Sequence, residues 1–367
     1  SNLSVGLILH EKSQEDVKKI IEEAASKENK VGSDEKKIGD LYAAYMNMDK
    51  RNELGLEPIR PELERIDQLS TYKDLAKYFG YAEKRGFTKP MSLFVEVDKK
   101  DPTIYSLYTF QDGLGLPERE YYLSDEGNFP ELRKAYKIHV AGMLELCGFQ
   151  DAEKSAQKIM DLETKLASFQ MKKEDTRDWS IMFNKYSTDS LDELMPDFDW
   201  DAYLSEVGVP DLKHLVVTQV DYTKKLNGIL KGTDMETLKI YLKWGVINSA
   251  ASNLSQDLDD KNFEFYGKTL LGKEEQLPLW RRAVSAVNGN LGEVVGKVYV
   301  KKHFPPEAKK RMMELVMNLV KAYDVSIREL DWMSEKTKEQ ALEKLSKFTP
   351  KIGYPDKWKD YSAVTIH

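Results

Sequence analysis

The spacing of apolar residues limits what this chain can fold into more than any other feature. Val17, Ile20, Ile21, Ala24 and Ala25 recur at three- and four-residue steps, which puts them on one helix face. Gly32 breaks the chain, Ser33 is the expected N-cap of a second helix, and Ile38, Leu41, Tyr45 and Met48 carry the pattern on. Pro130 reads as a first-turn proline, and Leu132, Tyr136, His139, Val140, Met143 and Cys147 form the stripe behind it, closed by Gly148. Ala152, Ala156, Ile159, Leu162, Leu166 and Phe169 make another. Thr233 with Glu236 reads as a capping box opening a helix through Leu238, Tyr241, Leu242 and Gly245. The longest run follows Pro305-Pro306: Ala308, Met312, Leu315, Leu319, Ile327 and Leu330. Ser334 is the expected cap of a last helix carrying Ala341, Leu342, Leu345 and Phe348.

One stretch departs from this period. Ser92 to Val97 alternates, with Leu93, Val95 and Val97 on one side, and Thr103 to Phe110 is β-branched and aromatic. Asp98 to Pro102 is a turn-rich spacer between them, so 92–110 is read as a β-hairpin. There is no repeated βαβ unit, no internal repeat and no low-complexity tract. No Gly/Ser/Pro-rich linker divides residues 1–367. The expected fold is mainly α, a multi-helix lobe with one small β-hairpin at about 92–110.

Composition narrows the partners. Lys and Arg total 55 against 62 Asp and Glu, a formal charge of −7, which gives no overall field for holding nucleic acid or an anionic membrane. Hydrophobic residues make up 41%, enough for a real core. The single cysteine, Cys147, excludes an internal disulfide and a thiolate metal cluster; it fits a reducing compartment without excluding a bacterial periplasm. No window of about 18 apolar residues exists to span a membrane. The Val5–Leu9 patch lacks the basic flank and cleavage site of a signal peptide. Ser1-Asn2 has the look of a cloning remnant, so the natural start need not lie here.

The residues that usually carry hydrolytic chemistry are scattered. A zinc peptidase helix needs two imidazoles four residues apart. His10, His139, His214, His303 and His367 are nowhere closer than 64 residues in sequence. His10-Glu11 begins like H-E-x-x-H, but Gln14 stands where the second imidazole belongs. His139 lies on an apolar stripe and is read as a satisfied core histidine, and Cys147 as a buried, inert thiol. Asn288-Gly-Asn-Leu-Gly292 follows a helical pattern instead of a strand, so it is not read as a phosphate loop. Asp257, Asp259 and Asp260 resemble the front of a calcium loop without its glycine or its closing glutamate. Asp192, Glu193, Asp197, Asp199 and Asp201 are candidate acid/base carboxylates only if they converge in a cleft with raised pKa values. Arg281 and Arg282 point about 100° apart on a helix, so at most one would face a given anion.

Four ordered blocks carry a resemblance. Gln111–Leu123 (QDGLGLPEREYYL), Met171–Ser187 (MKKEDTRDWSIMFNKYS), Leu277–Phe304 (LPLWRRAVSAVNGNLGEVVGKVYVKKHF) and Leu330–Trp358, which contains Ile-Gly-Tyr-Pro, resemble the N-terminal region of the neprilysin and endothelin-converting enzyme family of zinc metallopeptidases, in its bacterial PepO-type branch. The resemblance implies a mostly helical chain that builds much of the lobe facing the catalytic one across an internal cavity. The zinc motifs of the family, H-E-x-x-H and E-x-x-x-D, lie in its C-terminal part, as does the Asn-Ala-aromatic strand that binds substrate backbone. The family's carboxylate-binding arginine has its counterpart near Ser1-Asn2-Leu3-Ser4, where no arginine stands. No catalytic, cofactor-binding or metal-binding residue is therefore expected in this chain.

On this reading the chain is an inactive fragment, the cavity-forming and size-limiting part of an endopeptidase for short peptides. Zinc is expected in the missing C-terminal region, and the catalytic lobe is the expected partner. Tyr105, Tyr108, Tyr121 and Tyr122 are candidates for the cavity wall, with core packing an equal alternative for each. The expected compartment is a bacterial periplasm or cell envelope, with the cytoplasm as the alternative. This reading predicts an exposed apolar face for the partner lobe. A self-standing helical scaffold, the rival reading, predicts a closed polar surface.

Overall fold

The computed structural model describes residues 4–366. Two compact units emerge: Met48–Gln276 forms one, and the segments on either side of it, up to Asn47 and from Leu277, form the other. The boundary at Asn47/Met48 falls inside the stripe that the spacing extends to Met48. Asn47 leaves helical geometry (φ −80°, ψ 75°) and caps Asp34–Met46, so Met48 begins a new helix, Met48–Leu54, in the other unit.

The flanking unit is built on three helices, Val5–Ser26, Asp34–Met46 and Leu279–His303. Ser33 caps the second, accepting from Lys36 N, where its position in sequence places it. Ile21, Ile38, Val284, Val287, Val294 and Val295 meet in the centre and are all but fully buried. The crossing of the first two helices is tight. A Cβ on Gly39 would lie 2.7 Å from the Ala24 carbonyl oxygen. The first helix begins at Val5, capped by Ser4, so the Val5–Leu9 patch is its exposed first turns. The Asn288–Gly292 run lies inside the third helix, which departs from helical geometry at Leu291 (φ −126°, ψ 28°).

The central unit holds the larger core. Thr71 and Asp74 form a reciprocal capping box that starts Tyr72–Arg85. Gly86, at φ +70°, ends it. Phe129–Leu146 packs along Ala152–Phe169. The capping box expected at Thr233 is replaced. Asp234 is the N-cap, accepting from Thr237 N at 2.9 Å, while Thr233 donates to Ile229 O and so belongs to the end of the preceding helix. A carboxylate is the stronger acceptor for helix N–H groups, and it sits one residue later.

The hairpin forms as β1 (Met91–Val97) and β2 (Tyr105–Gln111). Phe94 and Tyr108 face each other across it, stacked at 5.1 Å. It is only half of the sheet. β3 (Asn184–Ser187) and β4 (His214–Val217) complete four strands in the order β1-β2-β4-β3, with β2 and β4 parallel and both hairpin-like pairs antiparallel. Four-residue strands are too short to show a period, and their partners lie far away in sequence.

The Gly39 crossing gives a first test. Gly39→Ala should destabilise the flanking unit by about 1–3 kcal/mol, because the clash is with backbone and cannot be relieved by a rotamer change. Urea unfolding followed by circular dichroism checks it; an unchanged midpoint would show that the two helices do not cross this closely.

Candidate functional site

The five histidines do not come together. His10 and His303 are exposed in the flanking unit, His303 against Tyr299 (4.7 Å between rings) and 3.7 Å from Asp16. His214 is exposed at the start of β4, and His367 lies outside the described residues. Among the described residues no group of three or more His, Cys, Asp or Glu side chains could hold a metal ion.

His139 is a core residue, as its stripe indicates, but it is not a satisfied one. Phe265 stacks on it at 4.9 Å, with Trp244 and Tyr266 edge-on at 5.6 and 5.4 Å. Neither ring nitrogen has a hydrogen-bond partner. Burial, with Lys261 adding to it, pushes its pKa down to about 3, so the ring is neutral. The π-helical turn Phe263–Leu270 supplies two of its three aromatic neighbours. The Cys147 thiol is pushed up to about 12, by burial first and Asp257 second, which suits an inert thiol.

The acidic clusters are structural. Asp257, Asp259 and Asp260 sit on one short helix, Gln256–Asn262, instead of a loop. Asp259 is buried, accepts from Gln276 Nε2 at 2.9 Å and lies 4.0 Å from Arg51, which itself donates to the Ser252 and Leu254 carbonyls. Asp192, Asp197, Asp199 and Asp201 do converge on one cavity of about 650 Å³. Two of the four are engaged in the wrong way for an acid. Lys231 and Asn227 hold Asp197 below the usual carboxylate range, and Asp199 caps a helix while facing Lys73 at 3.3 Å. The expectation of raised pKa values fails at Asp197. Arg281 lies over the Trp280 ring at 5.3 Å. Of the four wall candidates, Tyr105 is exposed, Tyr121 half-buried, and Tyr108 and Tyr122 are in the core.

The unusual surface is in the flanking unit. Pro306–Glu329 and Glu335–Ser346 pack on each other, yet neither has a single buried residue. Val316, Val320 and Ile327 are half-buried on one side of the longer helix. Met312, Leu315, Leu319 and Tyr323, at steps of three, four and four, form a second apolar stripe that is 43–63% exposed. Trp332, in the connection to the next helix, is 74% exposed. Sequence spacing finds Met312, Leu315 and Leu319 within one apolar run with Ile327, but not Tyr323, and does not separate the covered face from the open one. Beyond it, Lys309 donates to Tyr354 O at 2.8 Å and pairs with Asp356, and Tyr354 stacks on Trp358, which fixes the Ile-Gly-Tyr-Pro turn.

Residues 1–355 match the N-terminal profile of peptidase family M13. The chain belongs to that family. Endothelin-converting enzyme 1 of human is 28% identical over 379 residues, covering 97% of this chain and 49% of the enzyme; its mouse counterpart matches to the same extent. The zinc metalloprotease Zmp1 of Mycobacterium tuberculosis, solved in its open state, is 36% identical with a TM-score of 0.90 over 98% of this chain and 56% of its own. PepO from Lactobacillus rhamnosis, 19% identical with a TM-score of 0.79 over 98% of this chain and 57% of its own, shares the fold. The M13 chain described here spans about half the length of the curated relatives it matches. Zinc is implied by the M13 family. The donor set present does not fit it: the described imidazoles are dispersed, and the one buried imidazole is boxed by aromatic rings.

The boxed imidazole makes stability depend on pH in a fixed direction. Its folded pKa of about 3 lies below the ordinary imidazole value of 6.5, so the unfolded state binds more protons in that window. Its contribution is complete above pH 6.5 and is lost as pH falls toward 3. His139→Phe, which keeps the aromatic packing and removes two unpartnered nitrogens, should raise stability by about 1–3 kcal/mol at pH 7 and reduce acid sensitivity below pH 6. Urea midpoints at several pH values measure both; a variant with the wild-type acid slope would contradict the assignment.

Proposed function

We propose that this chain is the non-catalytic, cavity-forming part of an M13 metalloendopeptidase for short peptides, and that it works only with a C-terminal half that carries the zinc. The open stripe of Met312, Leu315, Leu319 and Tyr323 is the observation that carries the proposal. A helix with two apolar faces, one of them open, is incomplete, and each of these side chains is worth on the order of 1 kcal/mol or more once covered. The half-length match to endothelin-converting enzyme 1 and to Zmp1 supports the remaining half of such an enzyme as what covers it. The helical shell of the central unit would then exclude bulk water and folded proteins from the catalytic lobe. A self-standing scaffold would have closed that stripe with polar residues. The same reading puts the enzyme in a bacterial periplasm or cell envelope, with the cytoplasm as alternative; fractionation of cells expressing the full-length gene decides between them.

The chain alone should show no chelator-sensitive cleavage of a fluorogenic peptide and no stoichiometric zinc. Supplying the C-terminal half of the same protein in trans should restore cleavage. Leu315→Asp combined with Leu319→Asp should weaken that association at least about tenfold while leaving the far-ultraviolet circular dichroism of the chain unchanged. Zinc-dependent cleavage by the chain alone would overturn the reading.

A further inference from the structure

Segment 112–117, Asp-Gly-Leu-Gly-Leu-Pro, is held by side chains reaching out of the central unit's core. Tyr241 donates to Gly113 O at 2.8 Å, Tyr266 to Gly115 O at 3.1 Å, and Gln170 to Asp112 O at 2.9 Å. Leu116 N–H donates to the Tyr122 hydroxyl at 2.8 Å. The fit leaves no room at Gly115, where a Cβ would lie 1.8 Å from the Tyr136 hydroxyl. Directly behind the segment is Glu163, 1% exposed. Its Oε2 accepts from Tyr122 at 2.7 Å, its Oε1 from Tyr136 at 3.1 Å, and Gly115 N–H donates to it as well. Tyr136 in turn accepts from Trp244 Nε1 at 3.0 Å.

A buried carboxylate usually has a cation beside it. Here the titratable groups facing Glu163 are all tyrosines: Tyr122 and Tyr136, which bond to it, and Tyr241 and Tyr266, from two further helices. Among the described residues no lysine, arginine or histidine is paired with it. Ionised, Glu163 is a charge with neutral dipoles for company, and segment 112–117 lies against it through the Gly115 N–H. We propose that Glu163 is a proton-operated latch: protonated, it locks segment 113–117 in place, and on losing its proton to solvent it loosens that segment and the cleft the segment walls. That cleft has a volume of about 340 Å³ and is lined by Phe110, Leu114, Leu116, Pro117, Arg119 and Met171, among others.

The sign follows from linkage. Burial outweighs the three hydrogen bonds and pushes the Glu163 pKa up from 4.5 to about 7 in the closed arrangement. A hydrated carboxyl in an opened segment has the ordinary value, so the closed form binds more protons between those limits. Raising pH from about 4.5 toward 7 therefore favours opening, by at most about 300-fold in the closed-to-open ratio, with no further change above 7. Asp112, whose pKa burial also raises, is the competing titratable group on the segment.

Hydrogen exchange at the Gly115 and Leu116 amides, corrected for the intrinsic rate and run from about pH 5.5 to 8.5, tests the latch on the intact chain. Protection should fall as pH rises from about 5.5 toward 7 in the wild type and level off above that. It should be flat with pH in Glu163→Gln and keep its slope in Asp112→Asn. Flat protection in the wild type, or the same slope in Glu163→Gln, overturns the proposal. Should that variant fail to fold, infrared spectra of wild type carrying ¹³C-carboxyl glutamate decide. A buried carboxylic acid band must fade with a midpoint near pH 7, and a band that does not titrate overturns the latch.

Discussion

An amphipathic helix is stable in a folded protein only where its apolar face is covered, and each part of this structure follows from how that demand is met. Three helices cover one another around Ile21, Ile38 and Val287 in the flanking unit. In the central unit the helices close on a core that runs from Ile59 to Phe265. Pro306–Glu329 stands apart. Its two faces ask for two neighbours, and Glu335–Ser346 supplies one. On the proposed function this unmet demand is half of an internal interface, in keeping with matched M13 relatives about twice as long.

The core of the central unit shows a different solution to a different demand. Tyr122, Tyr136, Tyr222, Tyr241 and Tyr266 are buried or nearly so, and their hydroxyls reach backbone carbonyls or Glu163. Large rings fill volume while single protons fix the course of segment 112–117, which has no regular structure of its own. The same core holds a neutral imidazole with no partner and a carboxyl with no cation. Their folded pKa values are displaced in opposite directions, so between about pH 4.5 and 6.5 their contributions to the pH slope of stability oppose each other.

Much of this was legible in the residues. Three- and four-residue spacing located the main helices, Ser33 and Ser334 marked their starts, and alternation found the hairpin. The four family blocks pointed to the family that the profile match bears out. What escaped was non-local or ambiguous in one dimension. β3 and β4 have four residues each and pair with partners that only the fold brings near. Asp234 took the capping role expected of Thr233 because two good caps stood side by side. Glu163 lies between Leu162 and Leu166, where a charged residue reads as the edge of a stripe; nothing local says that it faces tyrosines. His139 could be placed in the core, but its lack of partners depends on which aromatics surround it. Met312, Leu315 and Leu319 are legible as an apolar run, while whether that face is covered depends on packing that spacing does not encode.

The claim on which the account rests is that the second apolar face of Pro306–Glu329 is an interface awaiting the zinc-bearing half. Amide hydrogen exchange along this helix, measured first for the chain alone and then with that half bound, addresses it directly. Exchange across 312–323 should be fast in the free chain and strongly slowed on binding. Equal exchange in both states would mean that the stripe is not where the two halves meet, and the account would fail.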